Sequence, residues 1–351
     1  MCNIAGYVGT KQAAPILLEM MRREEGFAGG YNTGIATINV GKLYHTKLVG
    51  CVQRLIDETE ALSLKGNIGL CHSRSKSHSG KEWAHPFVSL ENGQSVCAYI
   101  ANGNPAKASD PAVNEKIANS LADEGYEMLS RIYNSTSKAA YPRLRDGAKV
   151  HSSDVMCQLT YKYMKTGLPA PDAMESAFYD AVSERVGLFI SLENTNAIAW
   201  ARGNMPVFVA FADHGAYIAS TPLAFPEDAG APQLLPPNTS GWLYADHMTQ
   251  KPFKKINLKV PELDAATISR GYNIVLEELK AGKKTFGQLL NPLSVLYEDC
   301  ECMTRAALVY SVLHSMKKQD MITVETELAE AIFEGIDVPK FVISLKDVQN
   351  K

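Results

Sequence analysis

The chain of 351 residues contains no Cys-x-x-Cys pair. Its seven cysteines, Cys2, Cys51, Cys71, Cys97, Cys157, Cys300 and Cys302, are odd in number and irregularly spaced. That spacing argues against a zinc site or a disulfide framework and points to a reducing, cytoplasmic compartment. No apolar run approaches the roughly 20 residues of a membrane-spanning helix, so no membrane partner is expected. The N-terminus has no basic segment leading into a long apolar core and does not read as a secretion signal. GxGxxG and Walker-type loops are absent, which removes the glycine-rich phosphate cradles. Internal repeats and low-complexity tracts are also missing. The net charge is only −3, so a broad basic face for nucleic acid is not expected.

What is present is ordinary globular material, 46% hydrophobic and 21% charged, long enough for a large core and for two domains. Residues 3–9 are an apolar run ending in Gly9, the signature of a buried strand. "APILLEMMRREEG" has helical spacing, with Gly26 as its expected stop. "TGIATINVGKLYHTKLVG" reads as a hairpin turning at "NVGK", and "NIGLCHS" and "SVCAYIANGN" as strands followed by turns. "EKIANSLADEGYEMLSRIY" has helical potential, and "SDVMCQLTYKYMKTG" reads as a helix ending at Gly167. Residues 187–245 hold a series of short strands separated by turn residues, as in an antiparallel meander. Strands grouped with helices between the groups favour sheets covered by helices.

Beyond residue 255 the pattern becomes helical. "DAATISRGYNIVLEELKAG" is amphipathic, and "CMTRAALVYSVLHSMKKQD" and "TVETELAEAIFEG" read as two further helices, followed by a short strand in "KFVISL". The last of these helices would carry Glu325, Glu327, Glu330 and Glu334, which disfavours a DNA-reading role.

Three segments carry candidate chemistry. Cys2 would become N-terminal if the initiator methionine were removed. Its thiol and a free α-amine, of reference pKa about 7.7–8.0, would then share one residue as nucleophile and base. Arg74 lies in a loop of small hydroxyl residues, where a guanidinium can clamp a carboxylate or serve as an ordinary surface cation. Asn102-Gly103 is a turn signal, and equally a pair of donors for an oxyanion. His72, His78 and His85 have spacings that suit no single helix face and lack nearby acidic ligands, so they read as structural or hydrogen-bonding histidines and no metal is expected.

The order of these segments resembles the class II glutamine amidotransferase family, whose glutaminase domains are N-terminal-nucleophile (Ntn) hydrolases. "MCNIAG" is similar to Met-Cys-Gly-Ile-Ala-Gly, "GYNTGIAT" to Gly-Tyr-Asp-Ser-Ala-Gly-Ile-Ala, and "GLCHSRSKSHSG" to Gly-Ile-Gly-His-Thr-Arg-Trp-Ala-Thr-His-Gly. "AHPF" resembles Ala-His-Pro-His and "ANGN" resembles His-Asn-Gly-Ile, and the likeness runs to about residue 245. It implies an α+β fold, a four-layer αββα Ntn-hydrolase sandwich over residues 2–255, with a mainly helical extension over 256–351. It also implies that Cys2 attacks the side-chain amide of glutamine, that Asn102 and Gly103 hold the oxyanion, and that Arg74 binds the α-carboxylate, with Ser77 and His78 shaping its loop. No cofactor is implied.

The chain departs from the pattern at Asn3, Ser75 and Ala101, which stand for glycine, tryptophan and histidine. The acid expected to hold the substrate's α-amine falls in "HSSDVMCQL", where gapless alignment offers Ser152 and a shift of one or two residues offers Asp154. The residues after 255 are too few for a sugar-isomerase or phosphoribosyltransferase domain. An ammonia acceptor is therefore expected on another protein, or absent, with the extension docking that partner or a second copy. The activity expected is hydrolysis of glutamine to glutamate and ammonia. The alternatives are hydrolysis of another γ-glutamyl amide and a catalytically idle binding or regulatory subunit.

Overall fold

The computed structural model describes residues 2–75, 80–103, 110–134, 140–181, 186–260, 263–297, 304–330 and 336–346. The first half of the chain supplies β1 (Asn3–Gly9), β2 (Asn32–Asn39), β3 (Lys42–Val49), β4 (Ile68–Arg74), β5 (Phe87–Glu91) and β6 (Gln94–Asn102). The second half adds β7 (Val186–Ser191), β8 (Asn194–Arg202), β9 (Phe208–Ala212), β10 (Gly215–Ala219), β11 (Gln233–Leu234), β12 (Thr239–Leu243) and β13 (Met248–Pro252). They form one sheet of order β11-β9-β10-β1-β4-β2-β3 and a second of order β13-β12-β8-β7-β6-β5. Every pairing with a recorded register in these two sheets is antiparallel. The expected hairpin turns at Val40-Gly41, both with positive φ (43° and 69°), the primed turn geometry that matches strand twist.

Side-chain alternation sorts the core into layers. Ile4 and Val8 of β1, Leu70 of β4, Ala98 and Ile100 of β6 and Leu188 of β7 meet between the two sheets. The opposite faces of the same strands, Ala5, Tyr7 and Cys71, pack against α1 (Ala13–Ala28) and α2 (Val52–Glu58). On the far side Cys97, Tyr99 and Ala101 pack against α3 (Pro111–Asp123), α4 (Ser152–Lys165) and α5 (Ala170–Ala181). The order helix, sheet, sheet, helix is the four-layer arrangement expected.

The remainder holds α6 (Ala265–Lys280), β14 (Lys284–Thr285), α7 (Phe286–Leu290), α8 (Thr304–Lys318), β15 (Ile322–Glu330) and β16 (Asp337–Leu345). Residues 322–330 are therefore a strand and not the helix expected there. Its glutamates, alanine and leucine favour helix, but Ile322, Val324, Thr326 and Leu328 alternate, and pairing along the length of β16 overrides propensity. Glu334 lies outside the described residues.

These elements share one core with α1. The Phe27 ring lies 4.8 Å from Phe341 and 5.7 Å from Tyr310, and Phe286 stacks on Tyr310 at 4.4 Å. Gly26, expected to end α1, lies inside it, and the helix closes two residues later before Gly29. The missing side chain serves packing: a Cβ on Gly26 would lie 2.2 Å from the Phe341 ring. No helix among the described residues is long and apolar enough to cross a membrane.

Candidate active site

Cys2 directly precedes β1, the strand held between β4 and β10. Asn3 pairs with Ser73, so the end of β1 lies beside the end of β4, where Arg74 closes the strand. Period-two alternation puts His72 and Arg74 on the face toward the second sheet, and Asn102, in step with Ile100, on the face of β6 that looks back. Two sheets thereby deliver the candidate residues to one place.

The contacts confirm it. The backbone nitrogen of Cys2 donates to Asn102 Oδ1 at 3.2 Å, and Asn102 Nδ2 donates to the Cys2 carbonyl at 2.8 Å. One buried side chain thus holds both backbone groups of the nucleophile candidate. Ser75 Oγ lies 3.9 Å from the half-buried thiol. Gly103 follows Asn102 at the end of β6. His72 Nε2 is 3.0 Å from the Ala101 carbonyl. A carbonyl only accepts, so Nε2 carries a proton in this contact, and the other ring nitrogen, Nδ1, is buried without a hydrogen-bond partner among the described residues. Burial pushes the Cys2 thiol up, but hydrogen bonding and charge from His72, with the Arg74 guanidinium adding to them, bring it down to about 6. A thiol so placed is largely thiolate near neutral pH, the nucleophilic form.

Arg74 is buried. Its Nη1 donates to the Trp83 carbonyl at 3.1 Å and its Nη2 to the Tyr141 hydroxyl at 2.7 Å. Around it stand rings: Trp83 and Tyr141 at 4.5 Å, His72 stacked on His85 at 3.9 Å, and His151 beside His85, Phe87 and Tyr141. Burial, and then the neighbouring cationic groups, hold His85 and His151 well below the usual imidazole range, so both are neutral. Lys47 ties the loop carrying Trp83 and His85 to β3, its ammonium donating to the Ala84 and Pro86 carbonyls at 2.7 and 3.2 Å. Trp83 and His151 extend the site beyond the residues singled out from the sequence, as does Tyr141. "KEWAHPF" held the signal for Trp83, whereas Tyr141 lies in an irregular stretch with none.

Asp154 is fully buried in the first turn of α4. It accepts from the Ser130 backbone N–H at 2.9 Å and from Gln158 Nε2 at 3.0 Å, and burial raises its carboxyl. Trp83 Nε1 donates to the Ser130 carbonyl at 2.7 Å, so Asp154 supports the wall behind Arg74 through two intervening residues. Ser152 is buried on the same helix, its hydroxyl without a hydrogen-bond partner among the described residues. Ser77 and His78 lie outside the described residues. Asn3 points the other way from Cys2: its Nδ2 donates to the Glu24 carbonyl in α1. Behind it Glu25 accepts from the Val52 N–H at 2.9 Å and from Ser73 Oγ at 3.4 Å, and burial pushes its carboxyl up to about 7. Among the described residues no group of three or more His, Cys, Asp or Glu is arranged to hold a metal ion.

No protein-family model matches the chain. Its sequence is 26% identical over 230 residues to the glutamine–fructose-6-phosphate aminotransferase (isomerizing) of Shewanella oneidensis, covering 64% of this chain and 32% of that one. It is 27% identical over 222 residues to the protein of the same name from Clostridium acetobutylicum, covering 63% and 31%. The match thus spans about a third of the length of these relatives. Among solved structures, the glutamine phosphoribosylpyrophosphate amidotransferase of B. subtilis superposes with a TM-score of 0.56 at 18% identity, covering 79% of this chain and 58% of that one. A structure described as the allosteric regulatory enzyme of purine biosynthesis gives 0.57 at 15% identity, covering 89% and 63%. The fold is that of the class II glutamine amidotransferases, and the resemblance read from the N-terminal motifs holds in sequence and in architecture.

Proposed function

We propose that this chain is a class II glutamine amidotransferase domain that hydrolyses the side-chain amide of glutamine with Cys2 as nucleophile. The observation that carries the reading is the thiol itself. It is lowered to about 6 by His72 and Arg74, on a residue whose backbone is gripped at both ends by Asn102. In the reaction the thiolate adds to the amide carbonyl. The Asn102 amide and the Gly103 N–H, which follow one another at the end of β6, stabilise the oxyanion. The α-amine freed by loss of Met1 gives its proton to the departing nitrogen, and ammonia leaves as the C–N bond breaks. Water then cleaves the thioester, the amine accepting its proton, to give glutamate and the free thiol. Arg74, with its loop neighbours Ser77 and His78, receives the α-carboxylate.

A second reading, a γ-glutamyl amide as substrate, is favoured by one observation: both oxygens of Asp154, the acid expected for the α-amine, are already bonded within the wall. The ammonia acceptor would be a separate protein or a second copy docked through residues 256–351, an extension of the 2–255 domain that shares a core with its α1. Purified protein should release ammonia and glutamate from glutamine, and Cys2→Ala should abolish the release. Equal rates for both proteins would overturn the catalytic reading, and preference for a substituted γ-glutamyl amide over glutamine would establish the second.

A further inference from the structure

Away from Cys2, a cavity of about 540 Å³ opens between α8 and the turn after β10, Pro222–Ala224. Its charge is lopsided. Arg23, His314, Lys317 and Lys318 line it, against the single carboxylate of Glu227. Arg23 is matched, its Nε 2.9 Å from Glu19 and its Nη1 donating to the Phe225 carbonyl at 3.0 Å. Lys317 and Lys318 enter no ion pair or hydrogen bond among the described residues. Their place in the last turn of α8 suits the helix dipole, which is the ordinary use of such lysines. That use does not account for Arg23 and His314 converging on them from α1 and from one turn back along α8. Nor does it account for a concave wall that includes Phe225 and Pro226. Burial, and then the like charges nearby, push both His314 and Lys317 down, and the Glu227 carboxylate offsets this only in part at Lys317.

We infer that this cavity binds a small molecule carrying a phosphate or diphosphate group, the anion held by Arg23, Lys317, Lys318 and His314 and its ring lying on the Phe225–Pro226 wall. A lone carboxylate would satisfy one of these cations. Several cations lining one cavity suit a multiply charged phosphate, and no glycine-rich loop is needed when side chains supply the donors. The volume falls within the range of small-molecule sites and has room for a nucleotide. The inference does not depend on the chemistry proposed for Cys2.

Isothermal titration of the full chain with ADP, inorganic pyrophosphate and citrate at fixed ionic strength tests it. ADP should bind saturably, pyrophosphate more weakly, and citrate weakest. The double variant Lys317→Gln/Lys318→Gln, both positions exposed, should keep the wild-type circular dichroism, with only a small fall in melting temperature from the lost helix-dipole charges, but lose at least about tenfold in ADP affinity. Absence of saturation by ADP up to about 10 mM, near the weak limit of such sites, would overturn the site. Equal ADP binding by the double variant would overturn its location. Citrate binding as tightly as ADP would overturn the phosphate class, and pyrophosphate binding as tightly as ADP would overturn the role of the wall.

Discussion

Replacing His72 by Gln should move the titration of Cys2 without dismantling the site. The wild-type thiol sits at about 6 against an ordinary 9.0. The gap of three pH units corresponds to ~4 kcal/mol favouring thiolate over thiol. Burial works against this, so the neighbours supply more than the net, and the hydrogen bond from His72 is the largest of the lowering contributions. A hydrogen bond to a charged group contributes roughly 1.5–3 kcal/mol, or about one to two pH units. Glutamine keeps a donor for the Ala101 carbonyl, which His72 Nε2 meets at 3.0 Å, but removes the ring's charge and second nitrogen. The midpoint should therefore rise to about 7–8. The assay is the rate of alkylation of Cys2 by iodoacetamide against pH, with the site read by mass spectrometry. A rate at one pH is a poor readout, because a thiolate of higher pKa is also the better nucleophile, by about fivefold over 1.5 units, which nearly cancels the lost thiolate fraction. The midpoint is free of that cancellation. A variant midpoint still at about 6, or a wild-type midpoint near 9, would refute the reasoning.

Three further outcomes follow from the packing and the site. Asn102→Ala should lower kcat for ammonia release by about 10²–10³, and a change in KM alone would contradict an oxyanion role. Glu25 is raised to about 7 in the fold, so its protonated form is the one the fold favours. Its contribution to stability is complete below about 4.5 and is lost as pH rises through about 7, amounting to ~3 kcal/mol. Urea midpoints of wild type and Glu25→Gln should therefore diverge over that window, and parallel profiles would count against it. Gly26→Ala gains helix propensity but drives a methyl to 2.2 Å from Phe341, so the net should be a loss of ~1–3 kcal/mol, and a raised melting temperature would show that the ring yields.

The site was legible in the sequence where chemistry and alternation coincide. Cys2, Arg74 and Asn102 were named from residue type and order, and period two along β1, β4 and β6 brings them to facing surfaces. The ring wall as a whole was not legible: "KEWAHPF" marks Trp83, but Tyr141 and His151 come from other parts of the chain that only tertiary packing brings to it. Motif alignment offered Asp154 as the acid for an amine, and the fold adds what alignment could not show, that its carboxylate accepts from the Ser130 N–H and from Gln158. Helix α5 carried a readable signal in Ala170, Ala173, Met174, Ala177, Phe178 and Ala181, all buried at helical spacing. In β15 the alternation was readable too, but helix-forming residue types obscured it. Gly26 looked like a helix stop because a glycine required by a neighbour's ring and a glycine required by backbone conformation are identical in sequence.

The grip of Asn102 on Cys2 has a mechanical meaning. Cys2 lies just past the end of β1, so the strand ladder does not fix it, and a side chain from the opposite sheet does. The reactive sulfur is therefore registered to the stacking of the two layers. The groups that lower its thiol, His72 and Arg74, lie on β4 in the nucleophile's own sheet, whereas the contacts that seat its backbone cross between the layers. The sheet that tunes the sulfur and the sheet that holds its backbone are thus different ones.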